Sequence, residues 1–160
     1  GIVSQKFKEI VERIEPDTHQ FFLVDLYRED GSSIRDNYYI MHVTQRVPCV
    51  FYKKSKHYSL RRVRAGDGKG RPIYSCSEGG IVISRPAFGS RHLFSTSLVE
   101  GGRVLVSDAI GDELKRQNIH DLYMSKVSEV EDEWRPEEDV PEFMDWLEDH
   151  PEEATSLEKL

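Results

Sequence analysis

"SQKFKEIVERIEPDTHQFFLV" (Ser4–Val24) changes its hydrophobic period partway along, and that change decides the fold class. In the first half, Phe7, Ile10, Val11 and Ile14 recur at i, i+3, i+4 and i+7, the spacing of one helix face. Ser4 stands where an N-cap hydroxyl is wanted, and Pro16 closes the segment. From His19 the pattern becomes that of a strand, "HQFFLVDLYRED", with Phe22, Val24 and Leu26 on one face. "EDGSS" is turn chemistry. "IRDNYYIMHV" (Ile34–Val43) then reads as a second strand, with Tyr39, Met41 and Val43 alternating with Ile40 and His42. A helix followed by a hairpin predicts an α+β fold.

The rest of the chain extends that reading. "CVFYKKSKHYSLRRVR", the glycine-rich "AGDGKGRP" and "IYSCS" predict a strand, a hairpin tip and a strand. The glycine run lacks the GxxxxGK-Ser/Thr spacing of a phosphate loop, since Lys69 is followed by Gly70 and Arg71. "GGIVIS" predicts a short buried strand. "GRVLVSDAIGDELKRQNI" predicts a strand running into a helix near 108–118, with Ser107 as N-cap, Asp108 in the first turn and Asn118 at the stop. "DLYMSKV" predicts a last strand. Pro141 opens a short acidic helix in which Phe143, Trp146, Leu147 and His150 share one face. About ten residues hardly hold a helix alone in water, so that helix needs a surface. The expectation is a single α+β domain, mostly antiparallel, with its main body over 1–128 and an acidic C-terminal extension over 129–160.

Composition narrows function. The chain has 160 residues and a formal net charge of −7. That charge is polarised: residues 1–128 carry 15 acidic and 20 basic side chains, while 129–153 hold thirteen carboxylates against Arg135 alone. Within the body, residues 46–71 gather nine cations (Arg46, Lys53, Lys54, Lys56, Arg61, Arg62, Arg64, Lys69 and Arg71) and one acid, Asp67. Such asymmetry argues about partners rather than fold. No run of about 18 apolar residues spans a membrane. No export signal opens the chain, although Gly1 in place of methionine is consistent with a trimmed start. Cys49 and Cys76 are too few for a disulfide framework and form no CxxC, so they read as structural thiols of a reducing compartment.

Catalytic signatures are absent. HExxH, GxSxG and the DxDxDG calcium loop do not occur, and the six histidines show no metal-ligand pairing. A Cys76–His92 pair, or a pocket gathering His19, His42 or His92 with a carboxylate, is the residual enzymatic reading. No enzyme, metal or cofactor is expected. The cations of 46–71, interleaved with Phe51, Tyr52 and Tyr58, suit a nucleic-acid or nucleotide-binding accessory role. The −12 segment beside them would compete with phosphate, which ranks nucleic acid behind a protein partner.

Four motifs, in this order, carry a resemblance: "HQFF" (His19, Gln20, Phe21, Phe22), "YYIMHV" in the next strand, "GSRHLF" with His92, Leu93 and Phe94, and "VLVSDAIGDELKRQNIHDLYMSKV" with Ser107 and Asp108. Together they resemble immunity protein family eleven, which accompanies bacterial polymorphic toxins. The similarity runs over about 4–127. It departs at Leu23, where proline is usual, at Gly-Ser-Arg-His for Gly-Gly-His-His, and at Asn118-Ile119-His120-Asp121 for Gly-Leu-Thr-Gly. The resemblance implies an α+β cytoplasmic immunity protein, an antitoxin of bacterial competition, that binds and neutralises the C-terminal domain of a cognate secreted toxin without catalysis. It leaves the motif residues a structural role. The acidic extension lies outside it and supplies the expected toxin-binding residues: Glu137, Glu138, Asp139, Phe143, Asp145, Trp146, Glu148 and Asp149. The competing expectation is that this helix docks on the chain's own basic hairpin.

Overall fold

The computed structural model describes residues 1–63, 70–96, 103–119 and 124–151, apart from the side chain of Glu78. In chain order the elements are β1 (Ile2–Ser4), α1 (Gln5–Ile14), β2 (Gln20–Val24), β3 (Tyr38–His42), β4 (Arg46–Val47), β5 (Ser59–Val63), β6 (Arg71–Ser75), a 3-10 turn (Glu78–Gly80), β7 (Val82–Ser84), α2 (Arg85–Phe88), β8 (Leu93–Thr96), β9 (Val104–Val106), α3 (Asp108–Arg116), β10 (Ser128–Val130), α4 (Pro136–Asp139) and α5 (Pro141–Asp149). The fold is α+β, with several small, mostly antiparallel sheets. The elements form two compact units.

The first unit comprises Gly1–Gln45, Arg91–Ser95 and Val104–Tyr123. Its sheet has the order β1-β3-β2, both pairings antiparallel. The Ser4 hydroxyl accepts from Phe7 N at 3.3 Å and starts α1 as predicted. The helix ends at Ile14, because the residue before Pro16 disfavours helical backbone. Phe7, Ile10 and Val11 bury against Val3, Leu93, Ile110 and Leu114 to make the core. Phe21, Tyr39 and Met41 close over it from the sheet. β8 and β9 pair antiparallel, with Leu93 opposite Val106. Ser107 caps α3 through Ile110 N, and Asn118 ends it at φ 55°, a left-handed conformation that asparagine tolerates.

The second unit comprises Arg46–Ser90, Thr96–Arg103 and Met124–Leu160. β5 and β6 form the expected antiparallel hairpin; the predicted glycine tip at 65–72 lies mostly outside the described residues. The first arm of that hairpin is shorter than predicted. Residues 52–57 fold into turns, tied by Ser55 N to Phe51 O and Lys56 N to Gly80 O, so the strand starts only at Ser59. Gly80 permits this approach, since a Cβ there would sit 2.4 Å from Lys56 Cβ. The last predicted strand is displaced. Residues 121–123 lie outside the described residues, 124–127 have no regular structure, and the strand is β10, three residues long. It runs parallel to β7, a pairing that local pattern does not reveal.

Candidate functional site

The acidic segment is built into the second unit. Val140, Phe143, Trp146 and Leu147 are buried, and α5 lies on β6 of the basic hairpin. Arg71 sits over the rings of Phe143 and Trp146, 5.6 and 5.9 Å from their centroids. Phe143 stacks on Trp146, and Trp146 on His150 at 4.3 Å. The Tyr74 hydroxyl donates to Glu142 Oε2 at 2.9 Å, and Tyr74 packs on Tyr52 and Tyr58. Burial, then the bond to Glu142, push the Tyr74 phenol well above its usual range. The segment thus puts its aromatics into the hairpin and meets the cations at the edges: Lys53 donates to the Glu138 carbonyl, Lys54 pairs with Asp132, and Arg85 pairs with Glu129 at 3.0 Å. A groove of about 350 Å³ lies among Phe51, Lys53, Lys54, Asp132, Glu133 and Arg135, with no histidine in its wall.

Asp139 fixes the junction between α4 and α5. Its carboxylate is buried and accepts from Tyr52 N at 2.9 Å and Lys53 N at 3.2 Å. The Trp134 indole donates to Val50 O at 3.1 Å and reaches Asp139 Oδ2 at 3.4 Å. A buried carboxylate is tolerable only with such donors around it.

The eight expected partner residues therefore divide. Asp139, Phe143 and Trp146 are interior and hold the segment in place. Glu137, Glu138, Asp145, Glu148 and Asp149 are exposed. Glu138 is paired with Arg135 at 3.3 Å. Glu137, Asp145 and Glu148 meet no cation among the described residues, and Asp145 and Glu148 lie three residues apart on one face of α5.

The motif residues lie in the first unit, and three of them, His19, His92 and Leu93, gather on Glu15, a residue without a motif of its own. Its buried carboxylate accepts from His92 N at 2.7 Å and Leu93 N at 2.9 Å. His19 lies 3.1 Å from the same group through Nε2. Thr44 N donates to His19 Nδ1 at 3.4 Å, which leaves the ring proton on Nε2 to donate to Glu15. His92 Nδ1 is 2.9 Å from Ser107 Oγ, and Ser107 N donates to His92 O. Leu93 and Phe94 are buried, Phe21 packs on the core, and Gln20 bonds His42 at 3.2 Å. Phe22 points outward, and Asp108 lies exposed in the first turn of α3. Glu15 carried one local signal, its place four residues before His19 and next to Pro16.

His19 and His92 are engaged structurally, and His42 is on the sheet surface. Burial raises the Cys76 thiol and pushes Cys49 up to about 12, the opposite of an activated nucleophile. Among the described residues no three His, Cys, Asp or Glu side chains are grouped to hold a metal, and no helix is long and apolar enough to cross a membrane. No curated protein and no solved structure is significantly similar to the chain. A family model, described as Immunity protein family (Imm11), matches residues 1–129. With four-fifths of its length so matched, and with His19, His92 and Leu93 of the motifs assembled on Glu15, the chain belongs to that immunity protein family.

Proposed function

We propose that the chain neutralises a cognate toxin domain by occlusion, presenting the exposed carboxylates of its acidic extension to a basic substrate cleft. The family gives a toxin-neutralising role; the partner and the surface are our reading. One observation carries it. Among the described residues Asp145 and Glu148 pair with no cation, and they stand on a helix whose opposite face is anchored by Phe143, Trp146 and Leu147, so the charge is rigidly displayed. Prepaid ordering of this kind lowers the cost of association, and complementary charge speeds encounter. Toxin domains that act on nucleic acids or nucleotides offer the basic clefts such a face fits. In this reading residues 1–128 are the immunity-type scaffold and 129–160 the element that selects the partner, both acting in the cytoplasm without a bond made or broken.

The test uses charge reversal, because deleting the extension would remove core residues as well. Asp145→Lys with Glu148→Lys is expected to slow toxin association by about 10-fold or more at low salt while leaving the fold intact. Unchanged association kinetics in that variant would remove α5 from the interface.

The nucleic-acid reading of 46–71 loses ground on the same geometry. Lys53, Lys54 and Arg71 are already occupied by the acidic segment, and Arg64 and Lys69 lie outside the described residues.

A further inference from the structure

The β1-β3-β2 sheet of the first unit leaves β2 at an open edge. Hydrogen-bond parity shows which groups that edge offers. Met41 N donates to Gly1 O and Gln5 N to Asn37 O, so the odd residues of β3 bond towards β1. The even residues, Tyr38, Ile40 and His42, therefore bond towards their β2 partners Val24, Phe22 and Gln20. It follows that the N–H and C=O groups of Phe21 and Leu23 point out of the sheet. Among the described residues no hydrogen bond meets them.

This edge is also apolar and unguarded. "QFFLV" carries no charge and no proline, although edge strands normally carry such blocks. Phe22 is 53 % exposed on one face and Leu23 62 % on the other. Phe22 continues a row across the sheet through its register partner Ile40, 47 % exposed, to Ile2, 55 % exposed.

We propose that β2 pairs with β2 of a second copy of this chain, antiparallel about a two-fold axis through Phe22. The strand is self-complementary in that register. Phe21 falls opposite Leu23 of the second copy, and Leu23 opposite its Phe21, both with their backbone groups facing, which makes four N–H···O=C bonds. Phe22 meets its own counterpart at the non-hydrogen-bonded position, where facing side chains come closest and an aromatic pair is favourable. Gln20 falls opposite Val24, so no like charges oppose one another. The two sheets join into six strands, and the row Ile2–Ile40–Phe22 runs on across the axis. An isologous contact of this kind closes at two copies and leaves no second edge of the same type.

The test is the mass of the purified full chain by sedimentation equilibrium over a dilution series, with no toxin present. Wild type is expected to be a dimer that dissociates on dilution. Leu23→Pro removes one outward N–H and spares the bonds to β3; Phe22→Lys places two like charges at the axis. Each is expected to halve the mass while far-ultraviolet dichroism is unchanged. Amide exchange at Phe21 and Leu23 is expected to slow as wild-type concentration rises. A wild-type monomer at every concentration overturns the proposal, as does a dimer that both variants leave intact. Protection of these two amides only when toxin is added overturns it too, by giving the edge to the toxin. Because no toxin enters the mass measurement, its failure leaves the occlusion reading untouched.

Discussion

Glu15 in the first unit and Asp139 in the second solve one problem from opposite directions. Each is a buried carboxylate that takes two consecutive backbone N–H groups, His92 and Leu93 for one, Tyr52 and Lys53 for the other. Each also has a ring N–H within reach, from His19 at 3.1 Å and Trp134 at 3.4 Å. Glu15 sits at the end of α1 and ties down β8, inside the span matched by the family. Asp139 sits at the end of α4, beyond that span, and ties down the turn before the basic hairpin. The extension therefore does not rest on the scaffold by charge attraction alone. It carries its own specific, directional clamp, and the carboxylates left over are available for something else.

The largest effect expected comes from removing the apolar seat. Trp146→Ala or Phe143→Ala should destabilise by about 3–5 kcal/mol, the range for truncating a buried aromatic. Urea unfolding measures this, and a loss under about 1 kcal/mol would mean that the extension is not part of the folded core.

Next comes the clamp itself. Glu15→Gln and Asp139→Asn each replace an acceptor oxygen with an NH₂ facing a backbone N–H, at about 2–3 kcal/mol apiece for a lost charge-assisted bond and an unsatisfied buried donor. Comparable losses in the two variants sustain the parallel. A neutral Asp139→Asn beside a damaging Glu15→Gln would break it.

The smallest effect sharpens the comparison by pH. Glu113 on α3 is held down to about 2 by Arg116, then Gln117, with Arg13 on α1 adding a bond at 2.5 Å. A carboxyl held below its ordinary value of 4.5 stabilises the fold above that value and loses the contribution as pH falls towards 2. Acid titration of Glu113→Gln, followed by dichroism, is expected to show a shallower loss of stability between those limits. A curve parallel to wild type would show that this surface network contributes nothing.

Much of this was legible locally. The caps at Ser4 and Ser107, the stop at Asn118, the start at Pro141 and the β2–β3 pairing follow from side-chain chemistry within a few residues. The parallel β10–β7 pair did not, because its partners are more than forty residues apart and β10 has no alternation to read. The site was half legible. The amphipathic face of α5 showed that the aromatics needed a surface, and left open whether a partner or the chain's own hairpin supplied it. Glu15 and Asp139 were hidden among 29 acidic residues, since burial and not identity sets them apart.

Both tryptophans of the protein, Trp134 and Trp146, belong to the extension. Its intrinsic indole fluorescence is therefore a private optical channel that originates in 129–151. Trp146 is stacked on His150 within that segment, so a label-free signal can follow the acidic helix while it meets its partner.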